Sequence, residues 1–193
     1  GGVNGALPAA RMVAEETARL TGAQVRVHEH LRLFELRDLV VPPSPPGRLR
    51  PATPADADLV LAWYLDFGRA AAEQAGRTEP HGSPTETFTI EDVSERIDAG
   101  LVSLWEDEAG QTVHLTAVSP PAYGVSRVGP VYTPVEHRGH GYAGAAVAEV
   151  SRRILDAGDR ACLFTDQANP TSNRIYEALG YRPVVDMANL VVC

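Results

Sequence analysis

One stretch of the 193-residue chain constrains its fold more than any other: Val131-Tyr132-Thr133-Pro134-Val135-Glu136-His137-Arg138-Gly139-His140-Gly141-Tyr142-Ala143-Gly144. The apolar run Val128 to Thr133 reads as a strand. It gives way to a polar, glycine-bearing loop, and from about Tyr142 a helical pattern takes over, with Ala143, Val147, Val150 and Ile154 on one face. Glycines let a backbone approach a ligand closely. The free N–H groups at a helix start, with the dipole behind them, favour an anion. Strand, glycine loop and helix in this order therefore predict an α/β domain with a cradle for a phosphate, most simply a pyrophosphate.

Two nucleotide motifs compete for this loop. It is not a P-loop, because no Gly-Lys-Ser/Thr follows, and all 17 basic residues of the chain are arginine. Gly139, Gly141 and Gly144 do spell the dinucleotide pattern, and Asp166 stands at the end of the next strand as a ribose-binding acid would. Three facts oppose that reading. Pro134 to Arg138 separate the strand from the first glycine, where a dinucleotide turn is tight. Asp166 lies 27 residues past Gly139 rather than about 20. Only 27 residues remain after Asp166, too few to complete a doubly wound sheet.

The rest of the chain divides at Val41-Pro42-Pro43-Ser44-Pro45-Pro46-Gly47, which the prolines make a stiff linker over 41–47. Before it, residues 1–40 give a helix from Leu7 to Leu20, a stop at Gly22, and a long alternating strand from Ala23 to Leu36. After it, residues 48–193 read β-α-α-β-β-β-α-β-α-β. Thr53-Pro54-Ala55-Asp56 and Thr89-Ile90-Glu91-Asp92 open the first two helices, and a loop spans Gly76 to Pro84. Strands are expected at 101–106, 112–118, 128–133, 161–165 and 181–192, with Pro130 marking a bulge or an unpaired edge. Asn169-Pro170 starts the last helix and Gly180 stops it.

Arg138-Gly139-His140-Gly141-Tyr142-Ala143 resembles the acyl-CoA signature of the GNAT superfamily, Gln/Arg-x-x-Gly-x-Gly/Ala. A second signature of that superfamily, an Asn-rich helix entry ending in Tyr-Glu-x-Leu-Gly-Tyr, is matched by Asn169-Pro170-Thr171-Ser172-Asn173-Arg174-Ile175-Tyr176-Glu177-Ala178-Leu179-Gly180-Tyr181. The resemblance covers residues 48–193. It implies a mixed, mostly antiparallel sheet flanked by helices and splayed between the strands at 128–133 and 161–165. It also implies acetyl-CoA as co-substrate for direct N-acetylation of an amine on a small molecule, peptide or protein. Backbone amides of Arg138, Gly139, His140, Gly141, Tyr142 and Ala143 would hold the pyrophosphate. Val131, Tyr132 and Thr133 would pair with the pantetheine arm and polarise the thioester. Asn169 and Asn173 would bond that arm, and Tyr176 would protonate the departing thiolate. A non-catalytic acyl-CoA sensor shares the same cofactor loop and is the alternative.

The resemblance names no general base. His114 on the polar side of its strand, Glu136 on the loop, and a water chain all remain open. Ala70 to Thr89 and the Pro120 to Ser126 loop are expected to build the acceptor pocket. His28-x-His30 and His137-x-x-His140 lack a third ligand, so no metal is expected. A formal net charge of −8 argues against a nucleic-acid partner and suits a cationic amine. No apolar run approaches the roughly 20 residues of a membrane span, and Cys162 and Cys193 form no disulfide framework. The chain reads as a soluble, cytoplasmic protein, with a homodimer left open. Residues 1–40 repeat the helix, glycine, strand order of 170–192. They are either the tail of a degenerate upstream GNAT-like half or an N-terminal extension packed on the core.

Overall fold

The computed structural model describes the backbone of residues 1–74 and 88–193, with side chains over 1–70 and 88–193. The loop expected at Gly76 to Pro84 lies outside the described residues. The elements are β1 (Gly2–Ala6), α1 (Leu7–Thr21), β2 (Val25–Leu36), β3 (Arg48–Pro51), α2 (Ala57–Gln74), α3 (Ile90–Asp98), β4 (Val102–Glu106), β5 (Thr112–Val118), β6 (Val125–Tyr132), α4 (Tyr142–Asp156), β7 (Arg160–Asp166), α5 (Pro170–Ala178) and β8 (Tyr181–Val192). Local signals account for most boundaries. Thr89 and Asp92 form a reciprocal capping box, and the Asn169 side chain caps α5 by accepting from Ser172 N–H. Gly22 stops α1 in the left-handed region at φ 71°.

The strands form one sheet in the order β1-β8-β2-β7-β6-β5-β4-β3. Every neighbouring pair is antiparallel except β6 and β7. This is the mixed, mostly antiparallel sheet of the GNAT fold. Opposite Pro130 the β5–β6 register slips between Thr116 and Val118, the bulge its missing N–H requires. The parallel pair is short: Val125, Ser126 and Arg127 face Arg160, Ala161 and Cys162, and the ladder stops there. Beyond that point the two strands part, which opens the expected splay toward their C-terminal ends.

The N-terminal segment is threaded into this sheet. β2 lies between β7 and β8, with Leu31 opposite both Asp166 and Met187. β1, which the glycine-rich sequence gave no sign of, pairs with the far side of β8. Two strand-helix-strand units, β1-α1-β2 and β7-α5-β8, thus interleave. Exchanging the two units maps the strand order β1-β8-β2-β7 onto itself. Gly22 and Gly180 stop the two helices in the same left-handed conformation, and α1 has 15 residues against 9 for α5.

Helices cover both faces. α4 and α5 seal one side with Val147, Val150, Ile154, Tyr176 and Leu179 packed against Phe34, Leu163 and Tyr181. α2 and α3 seal the other over β4 and β5, with Val60, Tyr64, Val93 and Ile97 on Leu104 and Leu115. α1 presents only alanines, Ala10, Ala14 and Ala18, which lets it lie close to Ala188, Leu190 and Val192. β5 is therefore buried on both faces.

Candidate acyl-CoA site

The splay between β6 and β7 leaves one edge of β6, from Val128 to Tyr132, with no strand partner among the described residues, while β5 holds its other edge. Backbone N–H and C=O groups demand partners, so this edge can receive an extended ligand as an added strand. Val131 packs against the α4–α5 core, while the Tyr132 ring meets Trp63 of α2 edge-on at 5.9 Å.

The loop after β6 leads directly to α4. Val135–His137 form one 3-10 turn, and Gly139 and Gly141 follow with φ of 83° and 85°. L-residues rarely adopt that conformation, and a Cβ placed at either glycine would meet no protein atom within 4 Å. Gly141 is the N-cap of α4, supplies no side-chain cap, and no acidic residue occupies the first helical turn. The orphan N–H groups of that turn have no side-chain cap, and the helix dipole lies behind them, an arrangement suited to phosphate. Arg138, His140 and Gly141 are exposed, and Tyr142 and Ala143 are half-buried. His140 stacks on Tyr142 at 5.6 Å. The Arg138 guanidinium turns back, its Nε donating to the Thr133 carbonyl at 3.0 Å.

The second motif lies on the α4–α5 side of the sheet. Asn169 is nearly buried and serves as the cap of α5. Asn173 ties α5 to the end of β7: the Thr165 hydroxyl donates to its Oδ1, and its Nδ2 donates to the Asp166 carbonyl at 3.4 Å. Tyr176 is buried in the core that Val131 also touches, 6.1 Å from the Tyr181 ring. Burial pushes its phenol well above the ordinary tyrosine range, with Tyr181 adding to the shift. It stays protonated at any physiological pH.

Two expectations need correcting. His114 does not lie on a solvated strand face. It is 0% exposed, because α4 covers the side of β5 that alternation marks as polar. Its Nδ1 is 2.8 Å from the Thr133 hydroxyl and its Nε2 is 2.6 Å from the Thr116 hydroxyl. Burial pulls its pKa down to about 3, so it is a poor general base at neutral pH. Glu136 is exposed on the 3-10 turn. The Pro120 to Ser126 loop does not border the cofactor edge either. It joins β5 to the start of β6, beside Arg160, a strand's length of roughly 20 Å from Tyr132. The other expected acceptor segment, Ala70 to Thr89, falls largely outside the described residues.

Sequence reasoning missed what the N-terminal segment brings. β2 runs antiparallel to β7, so His28 to Leu31 flank the C-terminal end of β7. A register slip between Val27 and Glu29 turns the chain there. An open groove of about 680 Å³ lies beside it, lined by His28, His30, Asp166, Gln167 and Asp186 among others. Among the described residues, no three His, Cys, Asp or Glu side chains converge as metal ligands. No helix among them is long and apolar enough to cross a membrane.

Comparison with known proteins agrees with this geometry. Residues 109–189 match the family model of FR47-like proteins. No curated protein matches the chain. Among solved structures, the chain is similar to a GCN5-related N-acetyltransferase from Sphaerobacter thermophilus, at 20% identity and a TM-score of 0.67, over 99% of this chain and 59% of that one. It is similar to a GCN5-related N-acetyltransferase from Kribbella flavida at 22% identity and 0.57, over 91% and 62%. A GNAT-family acetyltransferase from Colwellia psychrerythraea aligns at 10% identity and 0.63, over 99% and 63%. The chain thus spans about three-fifths of the length of each of these structures.

Proposed function

We propose, from the fold and from the FR47-like match over residues 109–189, that the chain is a member of the GNAT superfamily and that it moves an acetyl group from acetyl-CoA to an amine. The observation that carries the reading is the conjunction of an unpaired β6 edge with an uncapped, glycine-entered α4 at the end of the same strand. A pantetheine arm fits the first and a pyrophosphate the second, and both are parts of one molecule. Amides of residues 138–143 would hold the phosphates, and the edge at Val131 to Thr133 would hold and polarise the thioester. Asn169 caps α5 and Asn173 ties it to β7; the resemblance assigns both to the pantetheine arm.

In the reaction the amine nitrogen attacks the thioester carbonyl carbon, a C–N bond forms and the C–S bond breaks. The ammonium first loses one proton through Glu136 or water to bulk solvent; after attack the departing sulfur takes the Tyr176 proton, and the second proton lost by the nitrogen as the amide forms restores the Tyr176 phenol. No covalent enzyme intermediate is needed. The two interleaved units support reading residues 1–40 as a counterpart of 160–193, the tail of a GNAT-like half. The test is acetyl-CoA-dependent release of free thiol across a panel of amines, alongside calorimetry with CoA and NAD. Thiol release with at least one amine is the expected result. Tight CoA binding with no release from any amine would leave an acyl-CoA sensor, and binding of NAD but not CoA would overturn the site.

A further inference from the structure

The mechanism above gives no task to the most deeply buried titratable group beside the site. His114 is fully buried on β5 and has a hydroxyl at each ring nitrogen, Thr133 at 2.8 Å and Thr116 at 2.6 Å. A neutral imidazole has one N–H and one lone pair, and both are used here. A ring needed only for packing would be replaced by an apolar side chain at less desolvation cost. This one reaches out of the core to a particular atom, the Thr133 hydroxyl.

Thr133 is where the two halves of the site meet. It follows the last residue of β6, and the ladder to β7 has ended six residues earlier, at Arg127. The last pair on the other side is Tyr132 with Leu115. Beyond that, what holds the chain is a clamp on Thr133: His114 takes its hydroxyl, and Arg138 donates to its carbonyl at 3.0 Å. One arm of the clamp is anchored in β5, a buried strand paired on both sides, the other in the loop that leads to Gly139 and Gly141.

We propose that His114 is a positioning residue: through Thr133 it fixes the free end of β6 relative to the glycine loop, so that strand edge and phosphate cradle are set at a constant separation before acyl-CoA arrives. The proposal rests on the acyl-CoA reading above and adds a residue to it. Prepositioned groups avoid ordering costs at the moment of reaction. The hydroxyl bond matters to where the thioester sits more than to whether the phosphates bind.

The test uses His114→Leu, His114→Gln and Thr133→Val. Amide hydrogen exchange at Val131, Tyr132 and Thr133 reads the clamp without turnover, with Leu104 and Leu115 as references for global opening. His114→Leu should speed exchange at 131–133 about tenfold or more beyond any change at the references. Thiol release should fall roughly 10- to 100-fold while CoA affinity stays within about fivefold. His114→Gln, which can still bond both hydroxyls, should recover most of the loss. Thr133→Val, which keeps the shape, should reproduce the exchange signature even if His114→Leu does not fold. Uniform acceleration at all sites, or unchanged exchange at 131–133, would overturn the clamp. Unchanged turnover in a folded His114→Leu variant of an active enzyme would do the same. A wild type silent with every amine would count against acetyl transfer, and the exchange data would then decide the clamp by themselves.

Discussion

Gly141 and Gly158 stand at opposite ends of α4 with the same backbone conformation, φ 85°, and at neither would an added Cβ meet a protein atom within 4 Å. They form a matched pair for separating strain from ligand contact. Alanine at either position must enter the left-handed region, at a cost of about 1–2 kcal/mol, partly offset by a stiffer unfolded chain. Both variants should therefore fold and melt a few degrees lower, since about 1 kcal/mol corresponds to roughly 2–4 °C at this size. Their ligand behaviour should differ. The methyl of Gly141→Ala occupies the space through which a phosphate must approach the first N–H groups of α4. Hydrogen bonds from those groups to a charged acceptor are worth about 1.5–3 kcal/mol each. Losing one of them weakens CoA by about 10- to 100-fold, at about 1.4 kcal/mol per tenfold. Gly158→Ala should bind CoA as wild type does. Calorimetry with CoA on both variants, after melts confirm equal folding, measures the difference. Equal affinities in the two variants would refute the placement of the phosphates at this helix start.

Tyr176→Phe removes one hydroxyl from a packed core. We expect turnover to fall roughly 10²-fold with CoA affinity within a few-fold; an active wild type matched by the variant would take Tyr176 out of the chemistry. Asp56→Asn tests the entry to α2, where Asp56 accepts from Arg50 at 2.8 Å and closes a capping box on Thr53. We expect a loss of about 2–3 kcal/mol in denaturant unfolding, from cap and ion pair together. The Arg50 guanidinium, aided by Thr53, holds the Asp56 carboxyl below the usual carboxylate range. Its contribution is thus present above about pH 4 and disappears as pH falls through the lower folded value. Wild-type and variant stabilities should converge between about pH 4 and pH 2, and parallel curves there would contradict the pair's role.

The candidate site was legible where its backbone geometry is local. A glycine loop between a strand and a helix is contiguous in sequence, and its backbone conformation depends on glycines that can be read directly. The capping residues Thr53, Thr89 and Asn169 were legible for the same reason. What escaped was non-local. Alternation along β5 marks one face as polar, but α4 covers that face, and His114 and Thr116 satisfy each other beneath it. The Pro120 to Ser126 loop looked like a pocket wall until the hairpin direction placed it at the wrong end of β6. β1 carries two glycines and an asparagine and becomes a strand only because β8 offers it an edge. Nothing in Val25 to Leu36 says that its partners are the last two strands of the chain.

That threading bears on how the molecule is made. β2 leaves the ribosome well before both its neighbours, Arg160–Asp166 and Tyr181–Val192. Throughout synthesis it waits with two unsatisfied edges, tethered by the proline-rich segment. Pairings between distant parts of a chain form slowly. A waiting strand can also be taken up by the finished C-terminal strands of a neighbouring molecule, giving an exchanged dimer with the same contacts. The sheet around the candidate site therefore closes only once β8 has been made, and crowded synthesis is the condition under which it would first be shared between two copies.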